Sequence, residues 1–279
     1  MDSYTVLYGV IGDPIRHSKS PVMLNRAFRE KGINGAYAAF HVAPGRLGEA
    51  IAGVRALGFR GLNVTIPHKI EVMQYLDEIH PGAQAAGAVN TIVNDNGRLV
   101  GYNTDGIGYV RSLKEEAEPN LAGRSIVVLG AGGASRGILW ALAREKPAKL
   151  ILANRTEQKA QEVASAFASE FEIETVPWAD LREACRDADV VINTTSVGMS
   201  PNTDAVPIDP TWLKPGAVAS DLIYNPLTTK FLKEAEAHGC RAHGGLGMFI
   251  YQGAYAFEYW TGETAPALVM REAVMASFS

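Results

Sequence analysis

The sequence predicts an α/β protein of two domains, the second of them doubly wound. Short β-branched runs alternate with helical segments along most of the chain, and strands separated by single helices form βαβ units with a largely parallel sheet. The alternation is interrupted near residue 95. At roughly 150 residues per domain, the 279 residues give room for two domains of ordinary size.

The first half of the chain contains three strand-like runs, each followed by a helical segment. The runs are TVLYGVIG, AYAAFHV and GLNVTI. Apolar residues at helical spacing mark the helices: Leu24, Ala27 and Phe28 after about Pro21, then Leu47, Ile51, Val54 and Leu57, then Ile70, Met73 and Leu76. The alternation of strands and helices is then interrupted. Asp95-Asn96-Gly97 between two short apolar runs predicts a hairpin turn at an edge of the first domain.

The second half alternates more regularly. A helix with Val110, Leu113 and Ala117 on one face leads into the polar stretch 115–124, the best candidate for a linker. The strand-like runs SIVVLG, KLILAN, DVVIN and AVASDLIY then alternate with helices, one from about Ala134 and one with Ala160, Val163, Ala164 and Phe167 in phase. These strands are almost continuously apolar, as in a parallel sheet that is covered on both faces.

Two further helices are predicted after residue 243, from Gly247 to about Trp260 and from about Pro266 to Phe278. No long strand accompanies them, so we expect them to fold back on the first domain and make it discontinuous. The predicted first domain spans 1–104 and is completed by 243–279. The predicted second domain spans 105–242.

The composition argues against several classes of protein. With 26 basic and 30 acidic residues and no basic cluster, the chain lacks the charge pattern of a nucleic-acid-binding protein. We expect neither a membrane span, which needs an apolar run of roughly 18 residues, nor a signal peptide. Cys185 and Cys240 suit neither a disulfide framework nor a zinc site. We therefore expect a cytoplasmic protein with a small-molecule partner and no metal. The oligomeric state stays open, with a homodimer among the options.

A glycine-rich turn stands between a predicted strand and a predicted helix in SIVVLGAGGASRG. Such a turn lets backbone N–H groups at a helix N-terminus approach a pyrophosphate, so it predicts a Rossmann-like dinucleotide-binding domain. Ser135 replaces the last glycine of the usual fingerprint, which predicts slightly looser helix–strand packing or a variant loop. A glycine turn without a ligand is the alternative. The predicted cofactor-binding residues are Gly130, Ala131, Gly132, Gly133 and Ala134.

The end of the next strand predicts which dinucleotide is bound. Asn154 stands where an acidic residue would receive a ribose 2′-hydroxyl, and Arg155 and Thr156 follow it. A carboxylate would repel a 2′-phosphate, whereas Arg155 and Lys159 offer it positive charge. These residues therefore favour NADP over NAD. In the alternative interpretation, Thr156 caps the following helix and the two basic side chains are solvated surface charges.

Three polar clusters follow strand ends in the first half, where ligands bind in open α/β sheets. The clusters contain Ser18 and Ser20, then Thr65 and Lys69, then Asn90, Asn103, Thr104 and Asp105. We expect them to converge on one crevice. Helix capping is the alternative for Ser20, which precedes Pro21, and for Asp105, which precedes a helical run.

Lys69 and Asp105 are the candidate catalytic pair. The apolar phase puts Lys69 in the first turn of a helix, where the helix dipole disfavours an ammonium, while Asp105 at another helix N-terminus would stay ionised. Together they would give a proton donor beside a carboxylate that orients it. A surface salt bridge without a catalytic role is the alternative.

Eight motifs resemble those of shikimate dehydrogenases and occur in the same order over nearly the whole chain: GDPIRHSKSP, NVTIPHK, GAVNTI, GYNTDGIG, GAGGASR, NRTEQKA, DLIYNP and GMFIYQGAYAFEYWTG. The resemblance implies a discontinuous substrate domain and a Rossmann-like NADP-binding domain with a cleft between them. It also implies the reversible, NADP-dependent reduction of 3-dehydroshikimate to shikimate in aromatic amino-acid biosynthesis. In that reaction, a lysine could donate the proton that neutralises the charge building up on the ketone oxygen.

The resemblance further implies roles for individual residues. Lys69 and Asp105 would be the catalytic pair. The substrate would be bound by Ser18, Ser20 and nearby Tyr224 at its carboxylate, and by Thr65, Asn90 and Gln252 at its ring hydroxyls. Around the cofactor we expect Thr194 after the strand DVVIN, and Gly247 with Met248 at the start of a late helix. For Met248, filling of the core is an equal alternative.

Two other functions stay open. A quinate/shikimate dehydrogenase of the same superfamily would have a relaxed choice of substrate or cofactor, although Asn154 speaks against NAD. A non-catalytic ligand sensor could also be built on the same fold. Such a sensor would be free to lose Lys69 or Asp105, and this chain has both.

Overall fold

The structure, a computed structural model, describes residues 1–278 and contains two compact units. The first unit consists of residues 1–108 and the chain from Ile250 onward, and the second consists of residues 109–249. Each unit has its own six-stranded sheet. The first unit is therefore discontinuous, as the sequence predicts.

The helices and strands follow one another in the predicted alternation. The strands are β1 Val6–Gly12, β2 Gly35–His41, β3 Gly61–Val64, β4 Glu78–Ile79, β5 Thr91–Asp95, β6 Arg98–Tyr102, β7 Ser125–Leu129, β8 Lys149–Ala153, β9 Glu174–Thr175, β10 Val190–Asn193, β11 Val218–Asp221 and β12 Arg241–His243. The α-helices are α1 Ser20–Glu30, α2 Leu47–Ala56, α3 Pro81–Ala86, α4 Asp105–Glu116, α5 Gly133–Arg144, α6 Glu157–Phe167, α7 Leu181–Asp187, α8 Lys230–Ala237, α9 Leu246–Thr261 and α10 Ala267–Ala276. Short 3-10 helices span Glu71–Tyr75, Trp178–Asp180 and Pro210–Trp212.

The sheet of the first unit is mixed, in the order β2-β1-β3-β5-β6-β4. Strand β1 is parallel to both of its neighbours, whereas β5 and β6 form an antiparallel hairpin. The turn of this hairpin confirms the prediction, because Asn96 and Gly97 have φ values of 52° and 96°. Positive φ at both central residues is what the favoured two-residue hairpin turn requires.

The C-terminal helices complete the core of the first unit. The indole N–H of Trp260 on α9 donates to the buried carbonyl of Ile92 at 2.9 Å. Gly61 makes room for this indole, since a Cβ there would lie 2.0 Å from its nitrogen. Helix α10 packs against α1, and Met23 and Met270 from the two helices are fully buried. The predicted return of these helices to the first unit is confirmed.

The sheet of the second unit is entirely parallel, in the order β12-β11-β10-β7-β8-β9. The four apolar residues from Ile126 to Leu129 in β7 are fully buried, as expected for a strand covered on both faces. The chain proceeds from β7 outward to β8 and later returns to β10 on the other side. The carboxyl ends of β7 and β10 are therefore a topological switch point, where ligands bind in doubly wound sheets.

Three local predictions are wrong. The segment with Ile70, Met73 and Leu76 is not an α-helix but turns and a five-residue 3-10 helix, and Ile70 is 70% exposed. The carbonyl of Lys69 accepts from the N–H of Val89 at 2.8 Å and so does not start a helical ladder. Leu57, also 70% exposed, lies just beyond the end of α2.

The third correction concerns the linker. The stretch 115–124 does not link the two units, because it lies within the second unit, where its Glu118 and Leu121 are buried. The Glu118 carboxylate pairs with Arg124 at 3.1 Å and with Arg241 at 2.8 Å. The units divide instead between residues 108 and 109, inside α4. No helix in the described part of the chain is long and apolar enough to span a bilayer.

Candidate active site

Lys69 and Asp105 form a close ion pair in the first unit. Lys69 lies in the turns that follow β3, and Asp105 is the first residue of α4. The Nζ atom lies 2.6 Å from Oδ2 of Asp105, and the two side chains are 29% and 15% exposed. The positive end of the α4 dipole attracts this carboxylate. The carboxylate thus holds an amine that remains partly accessible to a ligand.

Asn90 holds the second oxygen of the Asp105 carboxylate. Its Nδ2 donates to Oδ1 of Asp105 at 2.9 Å, and its Oδ1 accepts from the backbone N–H of Thr104 at 2.8 Å. Since a backbone N–H can only donate, this contact fixes the direction in which the Asn90 amide faces. Asn103 Oδ1 also accepts from the N–H of Asp105 at 3.1 Å. The structure therefore brings the second and third polar clusters together.

The surroundings of Lys69 differ from the prediction in two ways. Lys69 is not in the first turn of an α-helix, so the dipole argument does not apply to it, and Asp105 is the group that orients its amine. In addition, Lys69 and Asp105 both belong to the first unit, whereas the predicted boundary at 104/105 separated them. The pair is thus a feature of a single unit.

A buried chain of hydrogen bonds lies behind the pair, and sequence reasoning missed it. Asn63 on β3 donates to the carbonyl of Asn90 and to Thr91 Oγ1, both at 3.1 Å, and accepts from the Tyr37 hydroxyl at 2.7 Å. Burial raises the pKa of Tyr37 well above its usual value, and the nearby Ser20 hydroxyl acts in the opposite direction. The available signal was a polar Asn63 within the apolar, fully buried strand GLNV. The chain links Tyr37 to Asn90, which holds Asp105.

The remaining predicted substrate-binding residues of the first unit also follow strand ends or lie on α9. Ser20 is the buried first residue of α1, and its N–H donates to Ser18 Oγ at 3.3 Å. The helix cap is Lys19, so the capping alternative for Ser20 is wrong. Thr65 directly follows β3 and is half-buried. Gln252 is half-buried on α9. Gly108 lets α4 approach the α9 backbone closely, since a Cβ on residue 108 would lie 2.6 Å from the backbone nitrogen of Gln252.

In the second unit, the glycine-rich turn lies at the switch point between β7 and β10. Gly130 has a φ of +104°, and a Cβ there would lie 2.7 Å from Cγ2 of Thr195. Thr194 directly follows β10, and its Oγ1 donates to the carbonyl of Leu129, the residue before the turn, at 2.8 Å. Gly132 and Gly133 border open space, and no side chain caps the start of α5. This N-terminus fits the pyrophosphate of a dinucleotide.

Ser135 does not loosen this turn. Its side chain is fully buried, and its Oγ donates to the carbonyl of Gly132 at 2.6 Å. The expectation of looser helix–strand packing is therefore wrong, because the hydroxyl replaces the missing glycine with a local hydrogen bond to the turn itself.

Asn154 connects the turn with the segment predicted to select the cofactor. Its Oδ1 accepts from the N–H of Ala131 at 3.1 Å, and its Nδ2 donates to the carbonyl of Thr156 at 2.8 Å. Thr156 is the N-cap residue of α6, but its side chain makes no capping hydrogen bond. Arg155 and Lys159 are exposed. These residues fit a 2′-phosphate, since an uncharged amide and two cations stand where an acidic residue would repel it.

Tyr224, Gly247 and Met248 also lie in the second unit. Tyr224 follows β11 and stacks on Phe249, with ring centroids 5.2 Å apart, and burial raises the pKa of its phenol. Gly247 is required by packing within this unit, because a Cβ there would lie 1.9 Å from Ser112 Oγ. Met248 is half-buried next to it. The cofactor contacts of Gly247 and Met248 stay predictions.

Comparisons with known proteins agree over the whole chain. The family models that match are the shikimate dehydrogenase substrate binding domain at residues 10–92, shikimate / quinate 5-dehydrogenase at 112–200, and the shikimate 5'-dehydrogenase C-terminal domain at 245–275. The shikimate dehydrogenase (NADP(+)) of Geobacillus kaustophilus is 49% identical over 276 residues, which cover 96% of this chain and 97% of that protein.

Solved structures give the same result. A shikimate dehydrogenase in complex with NADP+ has a TM-score of 0.91 and 42% identity, covering 100% of this chain and 98% of that one. A shikimate 5-dehydrogenase from Thermus thermophilus, in complex with NADP(H) and shikimate, has a TM-score of 0.88 and 36% identity, covering 98% and 99%. This chain belongs to the family of NADP-dependent shikimate dehydrogenases.

Proposed function

We propose that this chain catalyses the reversible, NADP-dependent oxidation of shikimate to 3-dehydroshikimate, with Lys69 and Asp105 as its catalytic pair. The supporting observation is their 2.6 Å ion pair, whose carboxylate is also held by Asn90. A ligand sensor would not need a proton donor oriented in this way. The choice of substrate is supported by the Thermus thermophilus relative, which is described in complex with NADP(H) and shikimate.

The ammonium of Lys69 is the proton donor in the direction of reduction. NADPH held by the glycine-rich turn would supply the hydride for the carbonyl carbon, and negative charge would then develop on the carbonyl oxygen. A proton from Nζ of Lys69 neutralises this oxygen as the hydroxyl forms. Asp105 keeps the amine directed, and Asn90 keeps Asp105 in place. In the direction of oxidation, Nζ accepts the hydroxyl proton.

Ser18, Ser20 and Thr65 follow strands that end at the same edge of the first unit's sheet, Asn90 directly precedes the antiparallel β5 at that edge, and Gln252 lies on α9. Ile11 near the end of β1 pairs with Val64 at the end of β3 in parallel register, so the segments that follow leave the sheet side by side. We assign the substrate carboxylate to Ser18, Ser20 and Tyr224, and the ring hydroxyls to Thr65, Asn90 and Gln252. Hydroxyl and amide side chains are suited to both kinds of group.

The NADP-binding residues are assigned from the switch point outward. The pyrophosphate is assigned to the turn of Gly130, Ala131, Gly132, Gly133 and Ala134, at the start of α5. The phosphorylated ribose is assigned to Asn154, Arg155, Thr156 and Lys159, with the cations of Arg155 and Lys159 pairing with the 2′-phosphate. Thr194, Gly247 and Met248 are assigned to the remainder of the cofactor.

An absorbance assay of nicotinamide reduction tests this proposal. Shikimate and quinate are each offered with NADP and with NAD, in the same buffer and at the same protein concentration. We expect shikimate with NADP to give the highest kcat/KM. Turnover of quinate with NAD that matches shikimate with NADP would favour the quinate/shikimate alternative instead. No turnover with any of the four combinations would contradict an enzymatic function.

The proposed setting is the cytoplasm, where thiols stay reduced. Cys185 and Cys240 are both unpaired and buried, and burial raises the pKa of the Cys185 thiol to about 12. Both thiols are thus protected from oxidation. A homodimer is the other expectation to be tested, and sedimentation of the purified chain at two concentrations distinguishes it from a monomer.

A further inference from the structure

Asp221, the last residue of β11, has a fully buried carboxylate that the proposed reaction does not use. Its Oδ1 accepts from Nδ2 of Asn193 at 3.2 Å and from the backbone N–H of Ile223 at 3.0 Å. Its Oδ2 accepts from the Thr229 hydroxyl at 2.9 Å. Burying an ionised carboxylate is unfavourable unless hydrogen bonds compensate it, so these three uncharged donors indicate a specific role.

The first of these donors is Asn193, the last residue of β10, directly before the loop that follows this strand. Asn193 pairs with Asp221 in the register of the two parallel strands. Its Oδ1 accepts from the N–H of Thr195 at 3.0 Å and from the Thr195 hydroxyl at 2.7 Å, and its Nδ2 also donates to the carbonyl of Val197 at 3.2 Å. Asn193 therefore shapes the loop that begins with Thr194, and Asp221 holds Asn193.

The other two donors belong to the loop after β11. Ile223 immediately precedes Tyr224, so the hydrogen bond from its N–H to Asp221 fixes the backbone next to that tyrosine. Thr229 is the N-cap of α8, where its Oγ1 also accepts from the N–H of Leu232 at 3.4 Å. Asp221 thus fixes this loop at both ends.

We propose that Asp221 is a positioning residue whose carboxylate ties the loop of Thr194 to the loop of Tyr224 and so fixes both side chains for ligand binding. This rests on the proposed function, which assigns Thr194 to the cofactor and Tyr224 to the substrate. Asp221 itself touches neither ligand. Its effect is on binding, because it acts by holding two loops in a single arrangement.

The geometry requires the ionised form of the carboxyl group. An ionised carboxylate is only an acceptor, whereas a protonated one presents an O–H to a site already filled with donors. Burial raises the pKa of Asp221 to about 6, so the positioning weakens in mildly acidic solution. The titratable groups beside it are the phenol of Tyr109 on α4 and, through Ser220, the imidazole of His243 on β12. Burial raises the pKa of Tyr109 and keeps it neutral.

The test compares Asp221→Asn with Asp189→Asn, measuring the dissociation constant of NADP by fluorescence and the KM of shikimate. Asp189 is a matched control, because it lies just before β10 at the opposite edge of the same sheet and accepts from Ser125 N and Lys214 Nζ, both at 2.9 Å. We expect D221N to raise both constants about tenfold, the size of a lost hydrogen bond to a charged group, and to change kcat less. D189N should change both less than about twofold.

The pH profile separates positioning from a purely structural role. The 2′-phosphate of NADP itself titrates at about pH 6 in both proteins. The dissociation constant of NADP should therefore rise more steeply in the wild type than in D221N as the pH falls from 7 to 5. Should D221N fail to fold, Thr229→Val removes one donor to the same carboxylate and should change both constants in the same direction by a smaller factor.

The outcomes distinguish this inference from the function on which it rests. If the wild type binds NADP and oxidises shikimate while D221N behaves like D189N, the positioning role is wrong and the proposed function stands. An acid profile that is unchanged in D221N also contradicts the positioning role. A wild type that neither binds NADP nor oxidises shikimate contradicts both.

Discussion

The side-chain oxygen of Asn154 accepts a hydrogen bond from the backbone N–H of Ala131 at 3.1 Å. Asn154 therefore stands at the position predicted to select between NAD and NADP, and it also holds the turn assigned to the pyrophosphate. The side chain at this position is an amide, which can accept this bond without adding negative charge next to a 2′-phosphate.

Asn154→Asp should shift the choice of cofactor towards NAD while keeping the bond from the glycine-rich turn, although the bond from Nδ2 to the Thr156 carbonyl is lost. The new carboxylate can still accept from Ala131 N–H, but it repels the 2′-phosphate and can receive the ribose hydroxyls of NAD. We expect kcat/KM with NADP to fall at least about tenfold and the ratio of NAD to NADP activity to rise. The measurement is steady-state oxidation of shikimate with each cofactor.

Asn120→Asp is the matched control for this change. Asn120 is exposed in the same unit, and its Oδ1 accepts from the N–H of Ala122 at 3.1 Å, so the substitution adds the same charge to the same kind of bond. It should leave the cofactor ratio unchanged. Equal effects of the two substitutions would mean that the amide of Asn154 does not select the cofactor.

Two glycines of the same turn should respond in opposite ways to alanine. Gly130→Ala forces a left-handed conformation on a residue with a Cβ and places that atom 2.7 Å from Thr195, so it should destabilise the fold by about 1–3 kcal/mol. Gly133→Ala lies in the first turn of α5 beside open space and should keep or raise the melting temperature. Its Cβ should nevertheless weaken NADP binding, because the pyrophosphate is assigned to that space.

Thermal melting and NADP titration of both variants check this pair of expectations. A Gly133→Ala variant that binds NADP as tightly as the wild type would show that the pyrophosphate does not approach this part of the turn. A Gly130→Ala variant as stable as the wild type would contradict the packing described between the turn and Thr195.

Asp221 should make the folded state less stable as the pH rises from about 4 to about 6. Burial raises the pKa of its carboxyl from 3.8 to about 6, so between these values the folded state binds more protons than the unfolded state. The free energy of unfolding then falls with rising pH, by about 3 kcal/mol over the whole interval. Below pH 4 the contribution is fully present, and above pH 6 it is lost.

Urea unfolding of the wild type and Asp221→Asn at several pH values isolates this contribution. Other carboxylates titrate in both proteins, so the quantity to follow is the difference between the two free energies of unfolding. We expect the wild type to lose stability relative to the variant as the pH rises through this interval. A difference that stays constant, or that changes in favour of the wild type, would contradict the burial effect.

The sequence predicted the parts of the site that depend on local chemistry. The strand of Ile126 to Leu129 and the glycine turn after it are readable because a buried parallel strand and a phosphate-binding turn each have a local pattern. Lys69 and Asp105 lie 2.6 Å apart although they are distant in the chain, and no local pattern shows their meeting. It is predicted from the rule that ligands bind at strand ends and from the resemblance to the family.

Other features depend on tertiary contacts that no local pattern contains. Asn63 and Tyr37 were missed because the hydrogen bond between their side chains joins two strands that are not neighbours in the sheet. The division between units falls inside α4, where the composition of the helix does not change. The prediction of the polar stretch 115–124 as the linker is therefore wrong. The helix predicted at Ile70 failed because the Lys69 carbonyl bonds to Val89 instead.

The central claim is that Lys69 and Asp105 act as one catalytic unit. It is tested most directly by a double-mutant cycle of Lys69→Ala, Asp105→Asn and the combined variant, with shikimate binding measured by calorimetry. The control is Lys114→Ala, which removes a different ion pair, that between Nζ of Lys114 and Glu145 at 2.7 Å. This change should leave kcat unchanged.

The measurement is kcat for shikimate oxidation with NADP in all four proteins and the wild type. We expect each single change at the pair to lower kcat at least about a hundredfold while shikimate still binds, and the combined variant to be no slower than the slower single variant. A Lys69→Ala variant with a near-normal rate, or losses that multiply in the combined variant, would contradict the account.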